Sequence, residues 1–128
     1  MSATQNLFIR VSAIIGALAV ILGAFGAHGL EERLSPEMLE VYHTGVLYHL
    51  VHAPALFALA LAPVWHTKDA TRVAIAWIIG ITVFSGTLYL LAITGTKWLG
   101  AITPIGGVAL IAGWILAAGL RPERAQSE

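Results

Sequence analysis

The stretch VSAIIGALAVILGAFGA, residues 11–27, decides the fold class because it carries no charged side chain from one end to the other. Leu7, Phe8 and Ile9 extend it toward the N-terminus, and the long stem of Arg10 can carry its charge to a membrane surface. The extended run approaches the roughly 20 apolar residues that a membrane-spanning helix needs. A signal peptide is the alternative interpretation, but its apolar core would be shorter, about 7–15 residues. The run therefore favours a permanent span.

The composition of the whole chain points to the same class of protein. Of its 128 residues, 58% are hydrophobic and 11% are charged, whereas soluble domains carry about 25% charged residues. A soluble fold of this size could not hide so much apolar surface, because a large share of a small fold stays exposed. The length suits a single membrane domain over residues 1–128. The formal net charge is zero and no basic tract is present, so nucleic acid is not an expected partner.

Three more apolar runs follow the first, each separated from the next by a short polar segment. Lipid offers no water to backbone amides, so only helices or closed barrels can span it, and long apolar runs favour helices. The predicted fold is therefore all-α, an integral membrane bundle of four transmembrane helices. The predicted spans cover about residues 7–28, 41–63, 73–93 and 102–120, followed by a polar tail over 121–128.

The lysine and arginine residues predict the orientation of these spans. With four spans, both termini and the middle turn share one side of the membrane. That side holds five of the seven basic residues: Arg10, Lys68, Arg72, Arg121 and Arg124. The other side holds Arg33 and Lys97. Because the more basic side faces the cytoplasm, we expect both termini there.

Small residues recur at four-residue spacing on the first and fourth spans. In lipid, such stripes let helix backbones approach closely and so favour association. Chance spacing of common small residues is the alternative, and the partner helix belongs either to this chain or to another copy. The predicted packing residues are Ala19, Gly23 and Ala27 on the first span, and Ala109, Gly113 and Ala117 on the fourth.

Two histidines near the middle of the second span carry the most information about a site. Histidines inside a membrane usually face the bundle interior and are functional candidates, although neutral imidazoles also join helices through hydrogen bonds. We expect both rings to be neutral and to face inward, with at least one bonded to a third-span hydroxyl or backbone group. The hypothetical ligand-binding set comprises His49, His52, Ser85, Thr87 and Tyr89.

The sequence offers no recognisable catalytic set. It contains no cysteine, and a pairing of Ser85 with either histidine lacks the context of a nucleophile elbow. Two histidines three residues apart could help to bind a metal, but further ligands are not evident, so no metal site is predicted. Either histidine could ligate haem, as any membrane histidine could. The cofactor stays unknown, and the chain is expected not to be an enzyme.

Four motifs occur in a distinctive order: Gly23-Ala-Phe-Gly-Ala-His-Gly29; Tyr42-His43 followed by Tyr48-His49 and His52; Phe84-Ser-Gly-Thr-Leu-Tyr89; and Thr103-Pro-Ile-Gly-Gly107 with Gly113-Trp114. Over nearly the whole chain, this order resembles the YgdD-like family of small multi-pass inner-membrane proteins of unknown function. The resemblance implies a four-helix protein of a bacterial inner membrane. It implies no catalytic or binding residues.

These observations favour a small multi-pass membrane protein without an established activity. It would serve as a structural or accessory subunit, or as a self-associating helix bundle. The alternative is a binding or transport site for a lipid, quinone, haem or solute, built around the intramembrane histidines. Expected partners are membrane lipids, with a second copy of the chain or a larger membrane complex as further partners.

Overall fold

A computed structural model describes residues 1–122, and this part of the chain consists of helices and connecting turns. Four helices are long and apolar enough to cross a membrane. They are α1 (Ala3–His28), α2 (Pro36–Leu61), α3 (Lys68–Thr94) and α4 (Leu99–Ala118). The predicted fold class, an all-α membrane bundle with four spanning helices, is confirmed. Most of the predicted polar tail, from residue 123 onward, lies outside the described residues.

The helix ends follow from local sequence signals. The hydroxyls of Ser2, Ser35 and Thr67 each accept a hydrogen bond from a first-turn amide of the helix that follows, at 3.1 or 3.2 Å. Such caps satisfy amides that have no carbonyl partner inside the helix. Helix α3 ends at Thr94 and is capped by Gly95, whose φ of 69° lies in the left-handed region that glycine adopts without strain.

Helices α2 and α3 form the centre of the bundle, with α1 packed chiefly against α2 and α4 chiefly against α3. The buried apolar residues form two clusters. One gathers near the α2–α3 turn around Trp65 and Trp77, and the other lies near the opposite end around Tyr42 and Val46. The buried side chains of His49, His52 and Ser85 lie between the two clusters, which makes this middle level the candidate site.

Helix α3 changes its winding in the middle. Residues Ile81–Ser85 form a π-helical segment, after which α-helix resumes at Gly86. Such bulges hold an extra residue in one turn and occur often at functional sites. At the same level, a Cβ added to Gly106 of α4 would overlap the backbone of Phe84. The bulge is therefore a place where the backbones of α3 and α4 are in close contact.

Candidate functional site

Helix α1 meets α2 along a seam with a period of seven residues. The buried residues of α1 are Gln5, Ser12, Ala19 and Gly26. A seven-residue step returns to nearly the same helix face, about 20° away, whereas a four-residue step drifts by roughly 40°. This difference decides which small residues of α1 reach α2.

Of the three packing residues predicted on α1, two lie on the packed side of the helix and one is exposed. Ala19 is fully buried, and a Cβ added to Gly23 would lie 3.3 Å from Val46 of α2. Ala27 is exposed, contrary to the predicted stripe. Gly26 takes its place and lies so close to the ring of Tyr42 that a Cβ would overlap it.

On α4, the predicted stripe faces the bundle. Gly113 is buried against Trp77 of α3, where an added Cβ would overlap the indole ring. Ala109 and Ala117 are half-buried on either side of it. Gly113 therefore faces α3, and neither alanine of the stripe is exposed.

His49 joins three helices through its two ring nitrogens. Its Nε2 lies 2.9 Å from the carbonyl oxygen of Ile15 on α1, and its Nδ1 lies 2.9 Å from the hydroxyl of Tyr89 on α3. A carbonyl oxygen can only accept, so Nε2 carries the proton of the neutral ring and Nδ1 accepts from Tyr89. The side chain is 5% exposed. His49 is thus a fully bonded hub between α1, α2 and α3.

His52 has the opposite arrangement. The indole Nε1 of Trp114 on α4 donates to its Nε2 at 2.9 Å. An indole can only donate, so Nε2 accepts and the proton sits on Nδ1, which donates to the Tyr48 carbonyl at 2.7 Å. Trp77 lies behind this pair, with 4.7 Å between its ring centroid and that of Trp114. His52 therefore ties α2 to α4 within an aromatic cluster.

The third-span hydroxyls are also occupied. Ser85 donates to the carbonyl of Gly45 on α2 at 2.7 Å. The Thr87 hydroxyl lies 2.7 Å from that of Thr103 on α4. Both groups are buried. Each of them links α3 to a neighbouring helix.

The five residues of the hypothetical ligand set do not converge on one point. His49, Ser85 and Tyr89 line a cavity of about 200 Å³ between α1, α2 and α3. His52 lines a separate cavity of about 320 Å³ between α2, α3 and α4. Thr87 lies at the contact with α4 instead. The structure therefore separates the two histidines into two environments.

Several polar side chains that bind helices together were not singled out from the sequence. The Tyr42 hydroxyl donates to the Leu22 carbonyl at 2.5 Å, and the Gln5 side-chain amide donates to the Ala60 carbonyl at 2.8 Å. Tyr42 and His49 are seven residues apart, as are the buried residues of α1. This seven-residue spacing is the feature of the sequence that could have indicated these inward-facing polar residues. It does not indicate which helices pack together.

Metal binding finds no geometric basis in the part of the chain that the structure describes. Within residues 1–122, no three histidine, cysteine, aspartate or glutamate side chains lie close enough together to hold a metal ion. The imidazole nitrogens of His49 and His52 are engaged by protein partners. What this arrangement does chemically is to satisfy polar groups inside the bundle and hold its helices in register.

Comparison with known proteins links the chain to membrane proteins. A family described as a protein of unknown function, DUF423, matches residues 22–107. The UPF0382 membrane protein YwdK of Bacillus subtilis is 47% identical over 114 residues, which cover 88% of this chain and 93% of that protein. A UPF0382 membrane protein of Haemophilus influenzae is 40% identical over 111 residues, covering 87% and 90% of the two chains. No solved structure matches the chain.

Proposed function

The chain belongs to the DUF423 family of membrane proteins of unknown function, and we propose that it acts without catalysis, as a structural or accessory membrane subunit or a self-associating bundle. The observation that carries this proposal is the use of both midspan histidines as helix connectors. His49 bonds to α1 and α3, and His52 bonds to α4. Polar groups committed to such bonds stabilise a bundle where apolar side chains gain little by leaving lipid.

The outer surfaces of α1 and α4 supply the contact area that such a role needs. Both helices carry large apolar side chains on their outer faces, including Leu18 and Ile21 on α1 and Ile111 and Ile115 on α4. In a lone bundle these faces contact lipid. In a complex they pack against a neighbouring membrane helix, with no change to the hydrogen bonds inside the bundle.

The location that we propose is the inner, or plasma, membrane of a bacterium, with both termini in the cytoplasm. The excess of basic residues on the side that holds the termini supports this orientation. The narrower assignment to the YgdD-like group rests on the order of the four sequence motifs and is part of the same proposal.

Native mass spectrometry of gently extracted protein tests the proposed role. We expect either a homo-oligomer or a larger co-purifying complex. Leu18→Trp on α1 or Ile115→Trp on α4 should release the partner while leaving the thermal stability of the bundle unchanged, because both positions are exposed. A chain that is monomeric in native lipid extracts and unaffected by either substitution would contradict the proposal.

A further inference from the structure

The cavity beside His52 has the features of a small-molecule site within the membrane, which goes beyond a structural role. It measures about 320 Å³ and lies between α2, α3 and α4. Its walls include Tyr48, His52, Phe84, Gly107, Leu110 and Trp114. Ligand pockets in proteins begin at roughly 300 Å³ and combine apolar or aromatic walls with a few polar groups. This cleft matches that description at its small end.

The aromatic side chains form its walls from three different helices. The ring centroids of Tyr48 and Phe84 are 4.6 Å apart, and Phe84 belongs to the π-helical segment of α3. Trp114 closes the α4 side and is held by its bond to His52. Tyr48 and Trp114 are 41% and 48% exposed, so the cleft opens toward the surrounding lipid. A flat apolar ring can enter sideways from the bilayer and lie against these faces.

One polar group of the cleft is unused. The side chains of His52 and Trp114 are bonded to each other, whereas within residues 1–122 the hydroxyl of Tyr48 donates no hydrogen bond to protein. The indole N–H of Trp77 is also buried without a partner among the described residues, but Trp77 lies behind Trp114 and does not line the cleft. Tyr48 lies near the middle of α2, where water is scarce and an unbonded hydroxyl is unfavourable. An occupant with an oxygen acceptor would satisfy it. His52 cannot donate a hydrogen bond to such an occupant, because Trp114 and the Tyr48 carbonyl occupy both of its ring nitrogens.

We propose that this cleft binds the head group of a lipid-soluble quinone, a flat conjugated ring with carbonyl oxygens and an apolar tail. The Tyr48 hydroxyl donates to one carbonyl oxygen, and the ring lies between Phe84 and Trp114. The volume admits a single ring system and leaves the tail in the bilayer. The occupied histidine nitrogens argue against haem, which would need one of them as an axial ligand.

Gly107 offers a way to close the cleft without disturbing the bundle. A Cβ at this position would lie 3.6 Å from the ring of Phe84, an ordinary contact distance. Gly107→Leu therefore fills the cavity from α4. Gly100→Leu is the matched control, because it lies on the same helix, its Cβ would also meet an ordinary contact at 3.8 Å, and it does not line the cleft.

The test uses the full chain in phospholipid nanodiscs, titrated with decylubiquinone and followed by quenching of tryptophan fluorescence. We expect a saturable phase, because Trp114 lies in the cleft wall, on top of a linear background from partition into lipid. Gly107→Leu should abolish the saturable phase, and Gly100→Leu should retain it. Tyr48→Phe should raise the midpoint roughly three- to tenfold, the effect of one lost hydrogen bond.

Other outcomes would overturn the proposal. Quenching that is linear in the wild type, or that has the same midpoint in Tyr48→Phe, would show that the cleft does not recognise a quinone carbonyl. Retention of a phospholipid by the wild type and its loss from Gly107→Leu, seen by native mass spectrometry without competition by decylubiquinone, would assign the cleft to lipid instead. If Gly107→Leu fails to fold, the Tyr48→Phe midpoint decides alone.

Discussion

His49 and His52 lie one helical turn apart on α2, yet they carry their protons on different ring nitrogens. A carbonyl faces Nε2 of His49, whereas an indole N–H faces Nε2 of His52. The neighbours thus select opposite tautomers of the same side chain. At His52, Nε2 accepts from Trp114 and Nδ1 donates to the Tyr48 carbonyl, so both ring nitrogens have a partner.

Removing the hydrogen bond between Tyr89 and His49 should measurably lower the stability of the bundle. Tyr89→Phe removes the donor to Nδ1 and leaves that nitrogen unpaired inside the bundle. Hydrogen bonds between membrane helices contribute about 0.6 kcal/mol on average and up to about 1.7 kcal/mol. We expect a destabilisation within this range, measured by chemical or thermal unfolding in bicelles.

Tyr48→Phe is the matched control for this experiment. It makes the same chemical change on a tyrosine whose hydroxyl donates to no protein group in residues 1–122, so the unfolding free energy of the ligand-free protein should stay unchanged. Equal losses in the two variants would show that the Tyr89–His49 bond does not stabilise the bundle.

At the scale of helices, α3 and α4 achieve close packing through glycine and a change of winding. Gly106 admits the backbone of Phe84 at the π-helical segment, and Gly113 admits the ring of Trp77 two turns later. Without a hydrophobic drive between helices in lipid, this close approach is what supplies van der Waals attraction. Gly80 of α3 likewise admits Leu110 of α4, so the close packing of this helix pair depends on the absence of a β-carbon at three glycines.

Gly113→Ala should weaken the contact between α3 and α4. The added Cβ overlaps the indole of Trp77, and overfilling of a packed contact typically costs about 1–3 kcal/mol. Gly86→Ala is the control, because nothing lies within 4 Å of a Cβ at that position. Thermal unfolding in detergent should show a lower midpoint for Gly113→Ala alone. Unchanged stability of Gly113→Ala would show that Trp77 can move aside freely.

At the scale of the whole molecule, the bundle has apolar ends and a polar middle. The two apolar clusters lie toward the opposite faces of the membrane, and the hydrogen-bonded level of His49, His52 and Ser85 separates them. The bonds at this level connect every helix to at least one neighbour. Apolar helix faces are about as stable against lipid as against protein. These directional hydrogen bonds therefore specify one arrangement of the helices.

The orientation of the molecule gives a prediction at the same scale. Reporter fusions after Leu120 should be active as cytoplasmic proteins, and insertions within residues 94–100 should report the opposite side, because the basic residues flank the termini and the middle turn. Replacing Lys68 and Arg72 with glutamine should increase the fraction of inverted molecules. A C-terminal reporter that works only outside the cytoplasm would reverse the assignment.

Much of this architecture could be predicted from the sequence. The composition of the four apolar runs predicts the four helices. The position of His49 and His52 near the middle of the second run predicts that both side chains face the bundle interior. Whether a segment spans the membrane depends on the total hydrophobicity of about 20 residues in a uniform lipid environment. The identity of the protein groups that surround each residue therefore matters little. Gly113, one of the small residues for which the sequence predicts helix packing, is buried against Trp77, as small residues at close helix contacts often are.

The tertiary structure alone decided which faces meet and which atoms bond. Ala27 was expected in the packing stripe and is exposed, because the seam between α1 and α2 repeats every seven residues and passes through Gly26 instead. The tautomers of the histidines, the π-helical segment and the cleft beside Tyr48 depend on residues far apart in the chain, such as Trp114 and His52. Lipid accepts an apolar face as readily as protein does, so the apolar pattern of a spanning helix does not reveal which side is buried; only the packed bundle does.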